Sequence, residues 1–350
     1  MNSVSDADQV TPGWLTDVLR THGSLHRGSV TGVHIVGSFE PPPSLMTRLE
    51  VTYSADSPGL PSRLLLKIPK AERLPASNRE VVFYRDIAPA MDPSPAVRCL
   101  DAAYDADTGA YHLLIEDTSE TRRAMPWPCP FYRAHAEGAI DALAKLHATY
   151  WDDPRVGVEF GDVLTPEHIR VEWATRSEQL PDFLGRLADW ITPEWRSAYE
   201  RVFDVFPEPL IDRIESGGHL TLIHGDTHAA NFLVPHDPNS RDVRIIDWMT
   251  YHRSFGVRDV AYLMTKWWRP RVRRMMERDL VERYHARLVE HGVSEYDLDT
   301  CWRDYRLTVI ETVLHTVAIP IPWDIAWLWY PAFEQTMSAF EDLDCMALLA

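Results

Sequence analysis

Apolar and polar positions follow two successive textures along the chain. Trp14, Leu15, Val18 and Leu19 recur at helical spacing behind Pro12, which predicts a short amphipathic helix over 12–21. Residues 45–53 alternate, with Leu45, Leu49, Val51 and Tyr53 on one face, the pattern of a half-buried strand. Pro58-Gly59-Leu60-Pro61 signals a turn, and Leu64-Leu65-Leu66-Lys67-Ile68 returns as the partner strand. Residues 77–88 read as helix. Val97–Tyr104 and Tyr111–Glu116, joined by Asp105-Ala106-Asp107-Thr108-Gly109, read as a second hairpin. Strands, helix, strands: this order predicts a small antiparallel sheet carrying one helix.

Beyond Asp117 the texture turns helical. Ala136, Ile140, Leu143, Leu146 and Tyr150 share one face of a helix over 133–151. Residues 165–215 are expected as helical pieces broken at Pro181, Pro193, Pro207 and Pro209. Three short β-type runs follow, Leu220–His224, Asn231–Val234 and Val243–Asp247, and from Val257 the pattern is helical, with breaks at Gly292 and Pro320. The fold class expected is therefore α+β. An antiparallel-sheet lobe occupies 1–116, a connecting segment 117–122, and a larger, mostly helical lobe 123–350.

Composition narrows the picture. Of 350 residues, 45% are hydrophobic and 25% charged, which excludes a disordered or collagen-like chain. No apolar run approaches the ~18–20 residues of a membrane helix. The first residues lack the basic-then-apolar order of a signal peptide, and the four cysteines are scattered without a CxxC. Both point to a cytoplasmic protein. With 35 Lys and Arg against 52 Asp and Glu, the net charge of −17 argues against nucleic acid and anionic membrane as partners.

Candidate chemistry concentrates in Leu222-Ile223-His224-Gly225-Asp226-Thr227-His228-Ala229-Ala230-Asn231-Phe232. Two apolar runs flank a polar loop holding an Asp and an Asn five apart, and a later apolar strand ends in Asp247. Phosphoryl transfer needs such a set: one carboxylate to orient the nucleophile, and an amide oxygen and a second carboxylate as hard ligands for Mg²⁺. Taken singly, Asp226 and Asn231 also fit turn caps.

His-Gly-Asp-Thr-His-Ala-Ala-Asn followed by Ile-Ile-Asp-Trp resembles the loop motif of the aminoglycoside phosphotransferase and choline kinase superfamily, the small-molecule counterpart of the protein kinases. The run Leu113-Leu114-Ile115-Glu116-Asp117, with Glu80–Pro89 and Leu143–Trp151, most resembles its ecdysteroid-kinase-like branch. The resemblance implies a bilobal protein-kinase-like fold and an ATP-dependent transfer, with GTP an open alternative, to a small-molecule hydroxyl. It implies Asp226 as catalytic base, Asn231 and Asp247 as Mg²⁺ ligands, and His224 and His228 as shaping the loop. Asp259 would brace that loop from the next helix, which also suits a first-turn carboxylate.

The same resemblance asks for a strand lysine and a helix glutamate upstream. Lys67 ends an apolar strand and Glu80 opens the following helix. A buried lysine needs an anion, although Ser77-Asn78-Arg79-Glu80 also fits a capping box. Glu116 and Asp117 fall at the adenine-binding hinge. The phosphate-covering loop, expected near Gly37-Ser38-Phe39, carries Pro41-Pro42-Pro43 where related loops are glycine-rich. Prolines have no N–H to offer phosphate, so the grip falls to groups such as Ser38 and Ser44.

Arg269, Arg271, Arg273 and Arg274 read as a solvated helix face, with an anionic-substrate or interlobe contact as the alternative. Trp323 and Trp327 are candidates for the acceptor side, where aromatic faces suit sugars or ammonium groups. With the acidic net charge, this points to a neutral or cationic acceptor. The alternative functions are a non-catalytic nucleotide-binding protein of the same fold, motivated by the prolines, and a dinuclear phosphoesterase. The latter lacks the further His and Asp strand-end ligands that two metals need.

Overall fold

The computed structural model describes residues 3–41, 44–57, 59–127, 129–317 and 326–349. The chain forms two compact units, Met1–Arg123 with Arg244–Met249, and Ala124–Val243 with Thr250–Ala350.

In the first unit, five antiparallel strands lie in the order β1-β2-β3-β5-β4. They are β1 (Val30–Phe39), β2 (Ser44–Tyr53), β3 (Arg63–Pro69), β4 (Cys99–Tyr104) and β5 (Tyr111–Glu116). Side chains alternate along β3, so Leu64, Leu66 and Ile68 face one way and Leu65 and Lys67 the other. The leucine face shares a core with helix α1 (Pro12–Thr21), which contributes Leu15 and Leu19 and opens with Thr11 capping the Trp14 amide at 3.2 Å. Full burial of a leucine such as Leu49, Leu64 or Leu66 contributes about 1.5–3 kcal/mol. The Lys67 face meets α2 (Arg79–Val82) and the wider helical turn Phe83–Ile87 that extends it, where Glu80, Val81, Phe83 and Ile87 are buried.

The segment Arg244–Met249 packs with this sheet unit although the sequence pattern places it with the helical lobe. The packing has identifiable causes. Trp248 is fully buried and stacks on Phe83 at 3.8 Å, the Ile245 amide donates to Pro95 O at 2.9 Å, and Arg79 Nε donates to Met249 O at 2.8 Å.

The second unit holds α3 (Arg133–Thr149), α4 (Pro166–Leu187), α5 (Pro193–Val205), α6 (Glu208–Glu215), α7 (Val257–Trp267), α8 (Pro270–Glu290), α9 (Leu298–Val317) and α10 (Ala326–Asp342). Helix α9 is its central post, with Cys301, Tyr305, Val309, Ile310 and Val313 fully buried. A short sheet sets strand 252–254 between 162–163, parallel to it, and 221–223, antiparallel. Strand 252–254 escapes the sequence pattern because His-Arg-Ser carries no β signature.

Three further expectations are corrected. Pro181 does not break the chain but lies inside α4, on its exposed side, where water can satisfy the carbonyl whose partner it removes. Gly37, Ser38 and Phe39 belong to β1 itself, paired with Arg48, Thr47 and Met46, and are not part of a loop. Arg273 is not solvated: it is fully buried, held by Glu277 at 2.6 Å and by Asp342. Arg269, Arg271 and Arg274 are exposed. Pro42 and Pro43 of the expected phosphate-covering loop and the expected break at Pro320 lie outside the described residues. Among those described, no helix is long and apolar enough to cross a membrane.

Candidate active site

The first unit brings Lys67, Glu80 and Asp247 together. Lys67 Nζ lies 2.6 Å from Glu80 Oε2 and 3.7 Å from Asp247 Oδ1. The capping box that the sequence also allows is not formed; the Ser77 hydroxyl accepts the Arg79 amide at 3.2 Å, and Glu80 turns to Lys67. Burial pushes the Lys67 ammonium down, but the charges of Glu80, Tyr111 and Asp247 outweigh it, so its pKa is raised and it stays protonated. Asp247 sits at φ +67°, a left-handed conformation uncommon outside glycine, and its side chain is 46% exposed. The buried Trp248 beside it fixes the backbone, so the carboxylate projects from a rigid support.

The second unit assembles the loop 224–231 on one buried carboxylate. Asp259, in the first turn of α7, accepts the His224 amide on Oδ2 at 2.7 Å and the Gly225 amide on Oδ1 at 3.0 Å; its main-chain oxygen accepts Thr227 Oγ1 at 2.7 Å. Burial raises the Asp259 carboxyl, but the His147 hydrogen bond, the nearby His147 and His224 rings and the Gly225 amide together hold it below the usual range. Gly225 has φ +84°, and a Cβ there would lie 2.6 Å from Thr250 O and 2.9 Å from His252 Nδ1, so the position accepts only glycine. His224 Nδ1 accepts the Asp226 amide at 3.2 Å. His228 Nε2 lies 3.6 Å from Asp226 Oδ2, its ring against Trp267. Asn231 Nδ2 donates to Asp226 O at 2.8 Å, which turns its Oδ1 away as an acceptor.

Three residues of this region escape the sequence reading. His147 donates Nε2–H to Asp259 Oδ2 at 3.1 Å and accepts from Tyr284 on Nδ1 at 2.8 Å. Tyr262 donates to Asp226 Oδ1 at 3.2 Å, and Lys266 Nζ donates to the Tyr262 oxygen at 3.2 Å. A signal for the last two exists: Asp259, Tyr262 and Lys266 are spaced three and four apart, a polar stripe on an otherwise apolar helix.

The other candidates are placed differently. Ser38 Oγ pairs with Thr47 Oγ1 at 2.9 Å, and Ser44 is buried with its hydroxyl 3.4 Å from Tyr111 OH. Both hydroxyls are therefore engaged within the sheet unit. The Glu116 amide donates to Arg98 O at 2.9 Å and the Asp117 amide to Arg63 O at 3.1 Å. The Asp117 carboxylate accepts the Ser119 amide at 2.9 Å and lies 3.3 Å from Arg48. Trp327 is 62% exposed on α10, with its ring 5.9 Å from that of Trp127. Trp323 lies outside the described residues.

Each unit offers a hard oxygen donor of the kind Mg²⁺ takes. Asp247 offers an exposed carboxylate on a fixed backbone, and Asn231 offers an amide oxygen whose own NH₂ is committed. Both are hard oxygen donors, and Mg²⁺ takes few protein ligands where phosphates and water complete its shell.

Residues 43–294 match the sequence model of the ecdysteroid kinase-like family. No curated protein sequence matches the chain. Among solved structures, the GDP complex of wild-type aminoglycoside 2'-phosphotransferase-IIIa is 15% identical, with a TM-score of 0.47 and coverage of 95% of this chain and 98% of that one. Spectinomycin phosphotransferase in complex with ADP and spectinomycin is 10% identical, with a TM-score of 0.48 and coverage of 95% and 98%. A microcompartment-associated aminopropanol kinase is 12% identical, with a TM-score of 0.46 and coverage of 95% of each chain.

Proposed function

The chain belongs to the ecdysteroid kinase-like family, and we propose that it transfers the γ-phosphoryl group of ATP to a hydroxyl of a small molecule. The observation that carries the reading is the loop 224–231, built around Asp226 and Asn231 and pinned at two amides by the buried Asp259.

Each residue then has a task. Lys67, held by Glu80, pairs with the α- and β-phosphates. Asn231 and Asp247 would hold Mg²⁺, which when bound neutralises charge on the phosphate oxygens. Asp226 orients the acceptor hydroxyl and takes its proton late, because bond formation lags in a loose transition state. Positioning supplies most of the acceleration, which suits a loop whose amides are fixed rather than mobile. The Lys266 ammonium beside Asp226 opposes a cationic acceptor, so of the neutral and cationic classes the neutral hydroxyl compounds fit better.

A coupled ADP-release screen over polyhydroxylated steroids, sugars, amino alcohols and aminoglycosides tests the reading. An acceptor that raises ADP release in wild type but not in Asp226→Asn, with nucleotide still bound by both, is the expected result. Nucleotide binding without turnover for any acceptor would favour the non-catalytic alternative.

A further inference from the structure

The surroundings of Asp226 contain a directed chain of hydrogen bonds. Lys266 Nζ has donors and no acceptor site while protonated, so at 3.2 Å it must donate to the Tyr262 oxygen. The Tyr262 hydrogen is thereby left for Asp226 Oδ1, also at 3.2 Å. Among the described residues, no carboxylate lies within 4.0 Å of the Lys266 ammonium, and the nearby charge it acts with is Asp226, reached through the tyrosine hydroxyl. The ammonium also lies 4.7 Å from the Tyr262 ring centre and 5.6 Å from that of Trp267, and the Trp267 ring packs on His228. His228 in turn stands 3.6 Å from Asp226 Oδ2, beyond hydrogen-bond reach.

We propose that Tyr262 and Lys266 are positioning residues for Asp226: Tyr262 fixes one carboxylate oxygen so that the other faces the acceptor hydroxyl, and Lys266 fixes the direction of the Tyr262 hydroxyl. The proposal rests on the phosphotransferase reading above. A buried ammonium without a carboxylate partner is costly, and the Tyr262 and Trp267 rings offset only part of that. Its use is the polarised hydroxyl it creates.

The charge on Lys266 is conditional. Burial pushes its pKa down to about 8, with Asp226 offsetting part of that. The charge that bears on it is Asp226 on the loop; Lys266 in turn bears on His315 of α9, which also feels Arg258 and Arg176 of α4, and Arg258 bears on Tyr262. Arg258 is paired with Glu311 at 2.5 Å, and Arg176 with Glu172 at 3.5 Å, so neither supplies Lys266 with an anion. Above about pH 8 the neutral amine can accept the Tyr262 hydrogen, and Asp226 Oδ1 loses its donor.

The test uses the full chain and its Tyr262→Phe, Lys266→Met and Lys266→Arg variants. ADP release is followed from pH 6 to 10 with the acceptor found by the screen, or with water as acceptor if none is found. A fluorescent N-methylanthraniloyl ATP reports nucleotide affinity. Tyr262→Phe is expected to lower kcat about ten- to a hundredfold, with acceptor KM and nucleotide affinity within about twofold. Lys266→Met should lower kcat less and remove the alkaline fall of the wild type near pH 8, and Lys266→Arg should restore kcat and also lack that fall. Wild-type kcat and pH profile in Tyr262→Phe would overturn the proposal, as would parallel loss of nucleotide binding in all three variants. A wild type that binds nucleotide without turnover overturns the phosphotransferase reading instead. The chain of bonds is then read by titrating ¹³Cε-lysine signals: Lys266 near 8, and lower in Asp226→Asn, supports it, and an ordinary lysine value overturns it.

Discussion

His147 donates its Nε2 proton to Asp259 at 3.1 Å, and through that bond helix α3 holds the carboxylate that pins the loop carrying Asp226. Both residues are fully buried. Replacing His147 by Ala leaves an Asp259 oxygen short of a donor and Tyr284 short of an acceptor. The expected cost is about 1–3 kcal/mol, seen as a lower urea midpoint. Turnover should fall further than nucleotide affinity, because the loop amides at 224 and 225 depend on Asp259. An unchanged midpoint would show that the bond contributes nothing.

Lys67→Met and Glu80→Gln should differ in stability although both break one ion pair. The methionine leaves the Glu80 carboxyl buried without its partner, a loss of about 3–5 kcal/mol. The glutamine can still accept from Lys67, which keeps Asp247 at 3.7 Å, so the loss is smaller. Denaturation of the two variants side by side decides the order, and nucleotide affinity should fall in both.

The stability effect of Lys266 has a definite sign. Its folded pKa of about 8 lies below the ordinary 10.5, so between those values the unfolded chain binds more protons. Its contribution therefore becomes more favourable as pH rises from 8 to 10.5, by about 3 kcal/mol at most. Any stability advantage of Lys266→Met over wild type at pH 7 should shrink across that window. A difference independent of pH would mean that the lysine titrates normally.

Arg273→Met distinguishes the buried arginine from the solvated helix face that its neighbours suggest. Its removal strands Glu277, which otherwise holds Arg273 at 2.6 Å and accepts from Tyr305 at 2.7 Å. A loss of about 3–5 kcal/mol follows from the burial. A change within about 0.5 kcal/mol, typical of surface positions, would contradict the structure.

The sequence by itself determined many of the elements and where the candidate chemistry concentrates. The 3.6 and 2.0 periodicities located α1, α3 and β2, and apolar runs beside turn signals located β3 and β5, to within a residue or two. The loop 224–231 was legible because a glycine with no room for a Cβ, an Asp and an Asn had to sit at fixed spacing in one short segment. Tertiary structure decided what is distant in sequence or ambiguous in pattern. Glu80 could have capped its own helix, and only the Lys67 face of β3 turned it inward to a buried ion pair. Arg244–Met249 joined the sheet unit because Trp248 found Phe83, a contact no local pattern encodes. The links from His147 to Asp259 and from Arg273 to Asp342 join residues 112 and 69 positions apart. Burial of a polar side chain depends on the partner that compensates it, and that partner is named by the fold rather than by the neighbouring residues.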